Sequence, residues 1–562
     1  MNSIVRITRG RFWLAILFVA ASAVAAVLTM ATALSVADFL QLIFPDGSTA
    51  GLGGDIGNPI TRVLSHVYVW LASMETTRAL GLYALLLVGL YGVKNVFSYC
   101  AAVVFAHIKV GVLREIRNGL HRAALCQDMR SWGAQQQGQW LSKMGNDVAE
   151  YEANVLDSIQ LIVSAALTIG IYVAMLFFLD WSMTLTVVGV MAVGTLLLTA
   201  SRRLKRKSRE LQGLNGELMS LQQETLDGLK EIKAAAAIDY VNERQKERNA
   251  LFTRRRIGIY RRIYAASPIS DFVGNCVVAV ILMIGALRVT GADSTMGAAV
   301  FVSYIMIYVL TLTPVKDFSN GIALLKKGKG VEERITNLDS PLTFGHCSPE
   351  KTANGDIELS DVSFGYGEHR VLSHVSFIFC NGSMTAVVGE SGCGKTTVGR
   401  IIAGLLEPQE GDIMFDGRVY RCEERRGLVA YVPQEPMLFN DSIEENIRFG
   451  REWIGEDDVR QAVEQAQLGE YVANLNNGIK TEIGDGGGRL SGGERMRVSI
   501  ARALAGGEQI VVMDEATAAL DAATEMRLTK ALKEGMKGKT VVVIAHRPAT
   551  IAQCDHIMRL GC

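Results

Sequence analysis

Ahead of residue 320 the chain carries six long apolar runs nearly free of charge, at about 12–36, 79–108, 159–179, 181–200, 269–289 and 298–318. Crossing a bilayer takes ~20 mostly apolar residues. In lipid every backbone polar group must be satisfied within the protein, and runs of this length do so as helices. The overall apolar fraction, 49%, does not decide the matter, because soluble domains reach it. The crowding decides it: beyond residue 320 the pattern alternates as in a globular domain. At 562 residues, two or more domains are expected.

Lys and Arg mark the cytosolic side of a membrane protein. Segment 40–77 holds a single basic residue, Arg62. Segment 109–158 holds Lys109, Arg114, Arg117, Arg122, Arg130 and Lys143. Segment 201–265 is denser, from Arg202-Arg203-Leu204-Lys205-Arg206-Lys207 to Arg254-Arg255-Arg256. Both long segments and both termini are therefore cytosolic, and 40–77, with its Gly51–Gly57 cluster, faces outward. Arg6, Arg9 and Arg11 suit an interfacial helix on the cytosolic face. The alternative, the start of a signal peptide, conflicts with the run at 12–36, since such peptides carry only about 7–15 apolar residues.

The cytosolic segments are not loop-like. Arg114–Met144 and Leu204–Phe252 are rich in Leu, Glu, Lys, Gln and Ala at helical spacing. They extend the spans into the cytosol, with turns expected at Gly145–Asp147 and Ala234–Asp239. Within the spans, Lys94, Asn95, Asp271 and Asn275 invite two readings: a polar, substrate-facing cavity, or structural pairing between helices. Pro314, beside Lys316 and Asp317, is expected to bend the last span. Asn337–Gly355, with Pro341, Gly345 and Pro349, has linker composition. The expected domains are 1–325 in the membrane, a linker at 326–355, and 356–562 as a soluble domain.

Charge balance excludes a global basic field for nucleic acid: Lys+Arg and Asp+Glu both number 57. The nine cysteines are scattered without metal spacing and read as reduced thiols.

In the soluble half, the apolar run Met384–Val388 is followed by Gly389, Glu390, Ser391, Gly392, Cys393, Gly394, Lys395, Thr396 and Thr397, then by a helix-like segment, Val398–Leu406. Strand, glycine loop and helix in that order make a phosphate cradle from backbone amides and a helix N-terminus. Lys395 would reach the β- and γ-phosphates, and the Thr396 hydroxyl would sit on Mg²⁺. Ile510–Met513 is a buried strand ending in Asp514 and Glu515, the Walker B arrangement: a carboxylate for Mg²⁺ and one to polarise the attacking water. Ser491, Gly492 and Gly493 open a second helix with bare amides. One domain does not need two such ends for one nucleotide, whereas a dimer sharing each nucleotide does. Ile357–Phe364 alternates like an edge strand, Leu428–Val432 precedes Pro433 and Gln434, and Val541–Ala545 ends at His546. Tyr366 stacks on adenine or packs on the sheet.

Together these residues resemble the ABC exporters, in the half-transporter subfamily B type that includes the lipid A flippase and bacterial multidrug exporters. The resemblance covers nearly the whole chain, with specific motifs in the soluble half and topology in the membrane half. It implies a membrane all-α six-helix exporter domain fused to an α/β P-loop NTPase (ABC) domain, with ATP and Mg²⁺ as cofactors. By resemblance Gly389–Thr397 is the Walker A loop, Tyr366 stacks on adenine, and Gln434 bridges Mg²⁺ and the coupling helices. Leu490–Glu494 is the signature, which binds ATP held by a partner chain, and Asp485 lies in the loop before it. Asp514 is the metal carboxylate, Glu515 the catalytic glutamate, Ala518–Asp521 the D-loop and His546 the switch histidine. Gly145–Glu152 and Ala234–Tyr240 correspond to the coupling helices. Two departures stand out: Glu494 replaces the usual Gln, placing a carboxylate near a phosphate site, and the chain stops at Cys562, sooner after His546 than is usual.

The implied activity is ATP-driven export of an amphipathic substrate (a lipid, lipid-linked molecule or drug) by a dimer with two ATP sites. The intact catalytic set favours two identical chains over a related partner. The rivals are a heterodimeric multidrug or peptide exporter and an ATP-gated channel. The implied location is the bacterial inner membrane, with the nucleotide domain cytosolic.

Overall fold

The computed structural model describes residues 10–43, 70, 74–127, 129–130, 134–189, 222, 224–290, 298–336, 355–367, 369–516 and 522–561. The chain divides into two compact units, 1–119 with 143–337 and 120–142 with 338–562.

The first unit is helical. Its long helices are α1 (Phe12–Ile43), α2 (Thr76–Leu125), α3 (Asp157–Leu179), α4 (Ile238–Thr290) and α5 (Ala298–Thr336). Phe12–Ser35, Thr77–Leu125, Gln137–Leu179 and Val300–Ile335 are long and apolar enough to cross a membrane, and Gly274–Arg288 is a shorter apolar stretch within α4. The candidate at 181–200 is described, as helix, only over 181–189. α2 has 50 residues, which is about 75 Å at 1.5 Å per residue. That exceeds the ~30 Å hydrocarbon core, so the helix continues well past the membrane, as its composition predicts. α4 runs through Pro268 and α5 through Pro314 without interruption.

Four of these helices meet in one apolar cluster. Leu34 of α1, Tyr172 and Leu176 of α3, Val277 and Ile281 of α4, and Tyr304 and Tyr308 of α5 are all buried there. α5 approaches its neighbour closely at two glycines. A Cβ at Gly321 would lie 2.7 Å from Ile162 Cγ1, and one at Gly328 would lie 2.6 Å from Val155 Cγ2. After α3 only Asp180 leaves helical geometry before 181–189 resumes. The Asp180 carboxylate holds this break. One oxygen accepts from the Met183 amide at 2.8 Å and the other pairs with Arg288 at 2.7 Å.

The turn expected at Gly145–Asp147 is not there. Residues 126–127 and 129–130 are non-helical, and Gly145 lies within a π-helical turn, Lys143–Asp147, of a run that continues into α3. A second π turn covers Glu152–Leu156. Ion pairs pin this run to its neighbours: Asp147 to Arg334 at 2.9 Å, and Glu152 and Asp157 to Lys109 at 3.2 and 3.1 Å. The turn expected at Ala234–Asp239 is present, with Ala236 at φ 52°.

The second unit holds two sheets. β1 (Ile357–Tyr366), β2 (His369–Phe379), β4 (Glu410–Phe415) and β5 (Arg418–Val419) form an antiparallel sheet in the order β2-β1-β4-β5. β1 is therefore interior, not an edge: β4, contributed some 50 residues later, covers its second side. β3 (Met384–Gly389), β6 (Val429–Val432), β7 (Ile510–Asp514), β8 (Thr540–Ile544) and β9 (His556–Leu560) form a sheet in the order β6-β7-β8-β3-β9, parallel in every pairing. β7 and β8 are buried along their whole length, as expected of parallel strands covered on both faces. One face packs on α6 (Lys395–Ile402) and the antiparallel sheet, the other on α7 (Glu456–Gln465), α8 (Gly492–Ala505) and α9 (Ala522–Gly535).

Candidate functional site

Ligands of open α/β sheets gather outside the carboxyl ends of the parallel strands. Four such ends bring the sequence-predicted residues together here. β3 runs into the glycine loop. Gly392 and Gly394 take φ of 85° and 98°, left-handed values that glycine adopts without steric cost, and α6 starts on the next residue, Lys395. The Lys395 side chain, only 6% exposed, curls back and donates from Nζ to the carbonyl oxygens of Gly389 at 3.0 Å and Glu390 at 2.6 Å. Ser391 is exposed, whereas Cys393 and Thr397 are buried. Thr396 Oγ1 donates to Asp514 Oδ1 at 3.0 Å.

Asp514 ends β7 and is 1% exposed. Glu515 follows at φ 48°, a left-handed value that a side chain occupies only when its surroundings impose it. Its carboxylate lies between two partners: His546, just past β8, at 3.0 Å, and Gln434, just past β6, whose Nε2 donates at 2.9 Å. Tyr366, at the end of β1, packs edge-on against Phe364 with 5.0 Å between ring centres. Asp521 and the rest of 518–521 lie outside the described residues.

The signature segment forms a helix start. Ser491 is the N-cap of α8, its Oγ accepting from the Glu494 amide. The Glu494 carboxylate turns back and accepts from the Ser491 amide at 2.7 Å. This is a capping box, so the residue that departs from the family pattern serves its own helix. Glu494→Ala is expected to destabilise the soluble unit by about 1 kcal/mol, and Glu494→Gln, which keeps an acceptor, by much less. Melting curves of the two variants check the difference. Asp485 accepts from Asn440 Nδ2 at 2.8 Å.

Two residues that sequence reasoning missed join this site. The Tyr431 hydroxyl, on β6, donates to Asp514 Oδ2 at 3.0 Å. Burial, and then the Asp514 charge, push its phenol above the usual range. Arg400 of α6 lies beside both Tyr431 and Tyr366. Burial works against its charge, but the two phenols together outweigh it and raise its pKa. In the membrane unit Lys94 is half-buried on α2 with no ion-pair partner among the described residues, while Asn95 and Asn275 are exposed. The side chain of Asp271 lies outside the described residues.

The family described as ABC transporter transmembrane region matches residues 15–312, and ABC transporter matches 372–518. The ATP-dependent lipid A-core flippase of Cupriavidus metallidurans is 32% identical over 495 residues, covering 84% of this chain and 82% of that one. The chain belongs to the ABC transporter family. The flippase of the same name from Burkholderia thailandensis is 35% identical, covering 71% of this chain and 68% of its own length. The one from Pseudomonas aeruginosa is 29% identical, covering 90% and 84%. Among solved structures, a bacterial Atm1-family ABC exporter with ATP bound superposes with a TM-score of 0.76 at 21% identity, covering 98% of this chain and 93% of the other. This ABC transporter is thus a transmembrane domain and an ATP-hydrolysing, nucleotide-binding domain on one chain, which is the half-transporter format.

Proposed function

We propose that two copies of this chain form an ATP-driven exporter that carries an amphipathic molecule, a lipid or lipid-linked molecule before a drug, outward across a bacterial inner membrane. The observation that carries the reading is the convergence of Lys395, Thr396, Asp514, Glu515, Gln434 and His546 at one sheet edge, on a chain that also carries membrane helices. The full set in one chain favours a homodimer with two working sites. The flippase names of the relatives support a lipid substrate. Domain limits of 1–325, 326–355 and 356–562 remain the proposed division.

The donor set fits magnesium: a threonine hydroxyl, a buried carboxylate and an amide oxygen are hard oxygen ligands of the kind it takes beside substrate phosphates. Thr396, Asp514 and Gln434 would hold it, and when bound it neutralises phosphate charge. The glycine loop of Gly389–Thr397 cradles the phosphates and Lys395 meets them as a point charge. Tyr366 faces the base. Glu515 takes a proton from the attacking water, held in place by His546 and Gln434. Ser491, Gly492 and Gly493, with Asp521, complete the site of the opposite copy. ATP drives transport only if the inward and outward states bind the substrate differently.

The test is the ATPase rate of the full chain in lipid nanodiscs against native lipids, drugs and peptides. Selective stimulation by an anionic lipid supports the reading, and stimulation by drugs alone counts against it. Lys94, a mid-span cation with no ion-pair partner among the described residues, is the expected head-group contact. Lys94→Ala should lose most of that stimulation and keep the basal rate. Unchanged stimulation would remove Lys94 from the substrate path.

A further inference from the structure

Asp514 is held from both sides. Thr396 reaches Oδ1 from the phosphate loop and Tyr431 reaches Oδ2 from the neighbouring strand, each at 3.0 Å. On the sheet Tyr431 pairs with Val512, so its ring must reach along β7 to place the hydroxyl on Asp514. The phenol in turn lies beside Arg400, whose guanidinium also lies beside the hydroxyl of Tyr366. A planar, multidonor fork can serve two phenols at once in a fixed geometry, which the compact, rotating ammonium of a lysine does not impose. Tyr366 comes from the antiparallel sheet, Arg400 from α6 and Tyr431 from the parallel sheet. The three side chains therefore join two layers across the nucleotide-facing edge.

We propose that Tyr431 and Arg400 are positioning residues that tie the base-facing ring of Tyr366 to the metal-facing carboxylate of Asp514. The inference rests on the ATP-site reading given above. Tyr431 sets the rotation of the carboxylate, and so which oxygen is presented beside Thr396. Arg400 keeps Tyr431 and Tyr366 in register, so that both ends of the nucleotide site are set by one cation.

Full-length chain in nanodiscs is titrated with MANT-ATP, first in EDTA and then at fixed nucleotide with rising Mg²⁺. Tyr431→Phe is expected to keep its EDTA affinity within about twofold, because the phosphate loop is untouched. Its half-saturating Mg²⁺ should rise about tenfold, the effect of losing one hydrogen bond to a charged group. Arg400→Met, which leaves Tyr431 and Asp514 in place, should shift the Mg²⁺ midpoint the same way and narrow the preference for MANT-ATP over MANT-GTP. Arg400→Lys should recover little of either. An unchanged Mg²⁺ midpoint in both variants overturns the proposal. So does an equal loss of binding in EDTA and in Mg²⁺ for both, since the side chains would then be holding the fold. Wild-type chain that binds no MANT-ATP overturns the ATP-site reading itself, an outcome distinct from either.

Discussion

Glu515→Gln is expected to bind ATP as tightly as the parent chain and to hydrolyse it about a thousandfold more slowly, within the range a positioned general base contributes. The geometry makes this substitution unusually clean. Both carboxylate oxygens already have partners, His546 at 3.0 Å and Gln434 at 2.9 Å. A glutamine of the same shape keeps the side chain between them but has no oxygen basic enough to take a proton from water. The backbone at φ 48° is held by its surroundings: the Glu515 amide donates to the Ile544 carbonyl at 3.2 Å. The swap therefore leaves the loop in place. Because phosphoryl transfer is mostly positioning and charge stabilisation, binding and chemistry should separate: unchanged MANT-ATP affinity, nearly absent phosphate release, and accumulation of the ATP-bound state. Glu515→Ala should slow turnover as much and also free His546 and Gln434. Turnover within tenfold of the parent would show that Glu515 is not the base.

What the sequence reveals about this site, and what it hides, follows from how local each feature is. The phosphate loop is legible because its backbone must turn, open its amides and start a helix within nine consecutive residues, Gly389–Thr397. Asp514 and Glu515 are legible because a buried strand that stops on two carboxylates needs a reason to do so. Tyr431 and Arg400 are not legible in this way. The Tyr431–Asp514 bond joins residues 83 apart, and nothing near either one marks it. The misplaced turn has a different cause. Gly145 reads as a breaker, yet a π turn accommodates it and a neighbouring ion pair, Asp147 with Arg334, holds the helix together from 187 residues away. β1 misleads for a third reason: whether a strand is an edge is a property of the sheet, and β4 joins it only after the chain has passed through the phosphate loop and α6. Glu494 shows the reverse case. Its spacing from Ser491, cap residue to third helical position, is a local pattern visible in the sequence, and that spacing says more about its role than its charge does.

Lys395→Met should abolish ATP binding while leaving the nucleotide-free chain as stable as the parent, or more so. Lys395 Nζ sits at a residue exposure of 6%, with the carbonyl oxygens of Gly389 and Glu390 and the Cys393 sulfur as its hydrogen-bond partners. No carboxylate pairs with it among the described residues. Burying a cation without a counter-charge is costly, and the phosphates of a nucleotide would supply that counter-charge. Methionine has similar length and no charge, and the carbonyls of Gly389 and Glu390 belong to exposed residues that water can serve. The parent chain, with ATP at 100 times its Kd, should gain about 2.7 kcal/mol, which for a soluble unit of this size is a rise of about 5 °C or more in melting temperature. Lys395→Met should show none of that rise, from a starting temperature no lower than the parent's. A variant that kept the ATP-induced shift would mean the phosphates bind elsewhere. One that melted several degrees lower without nucleotide would mean that the lysine holds the loop together through its bonds to the two carbonyls.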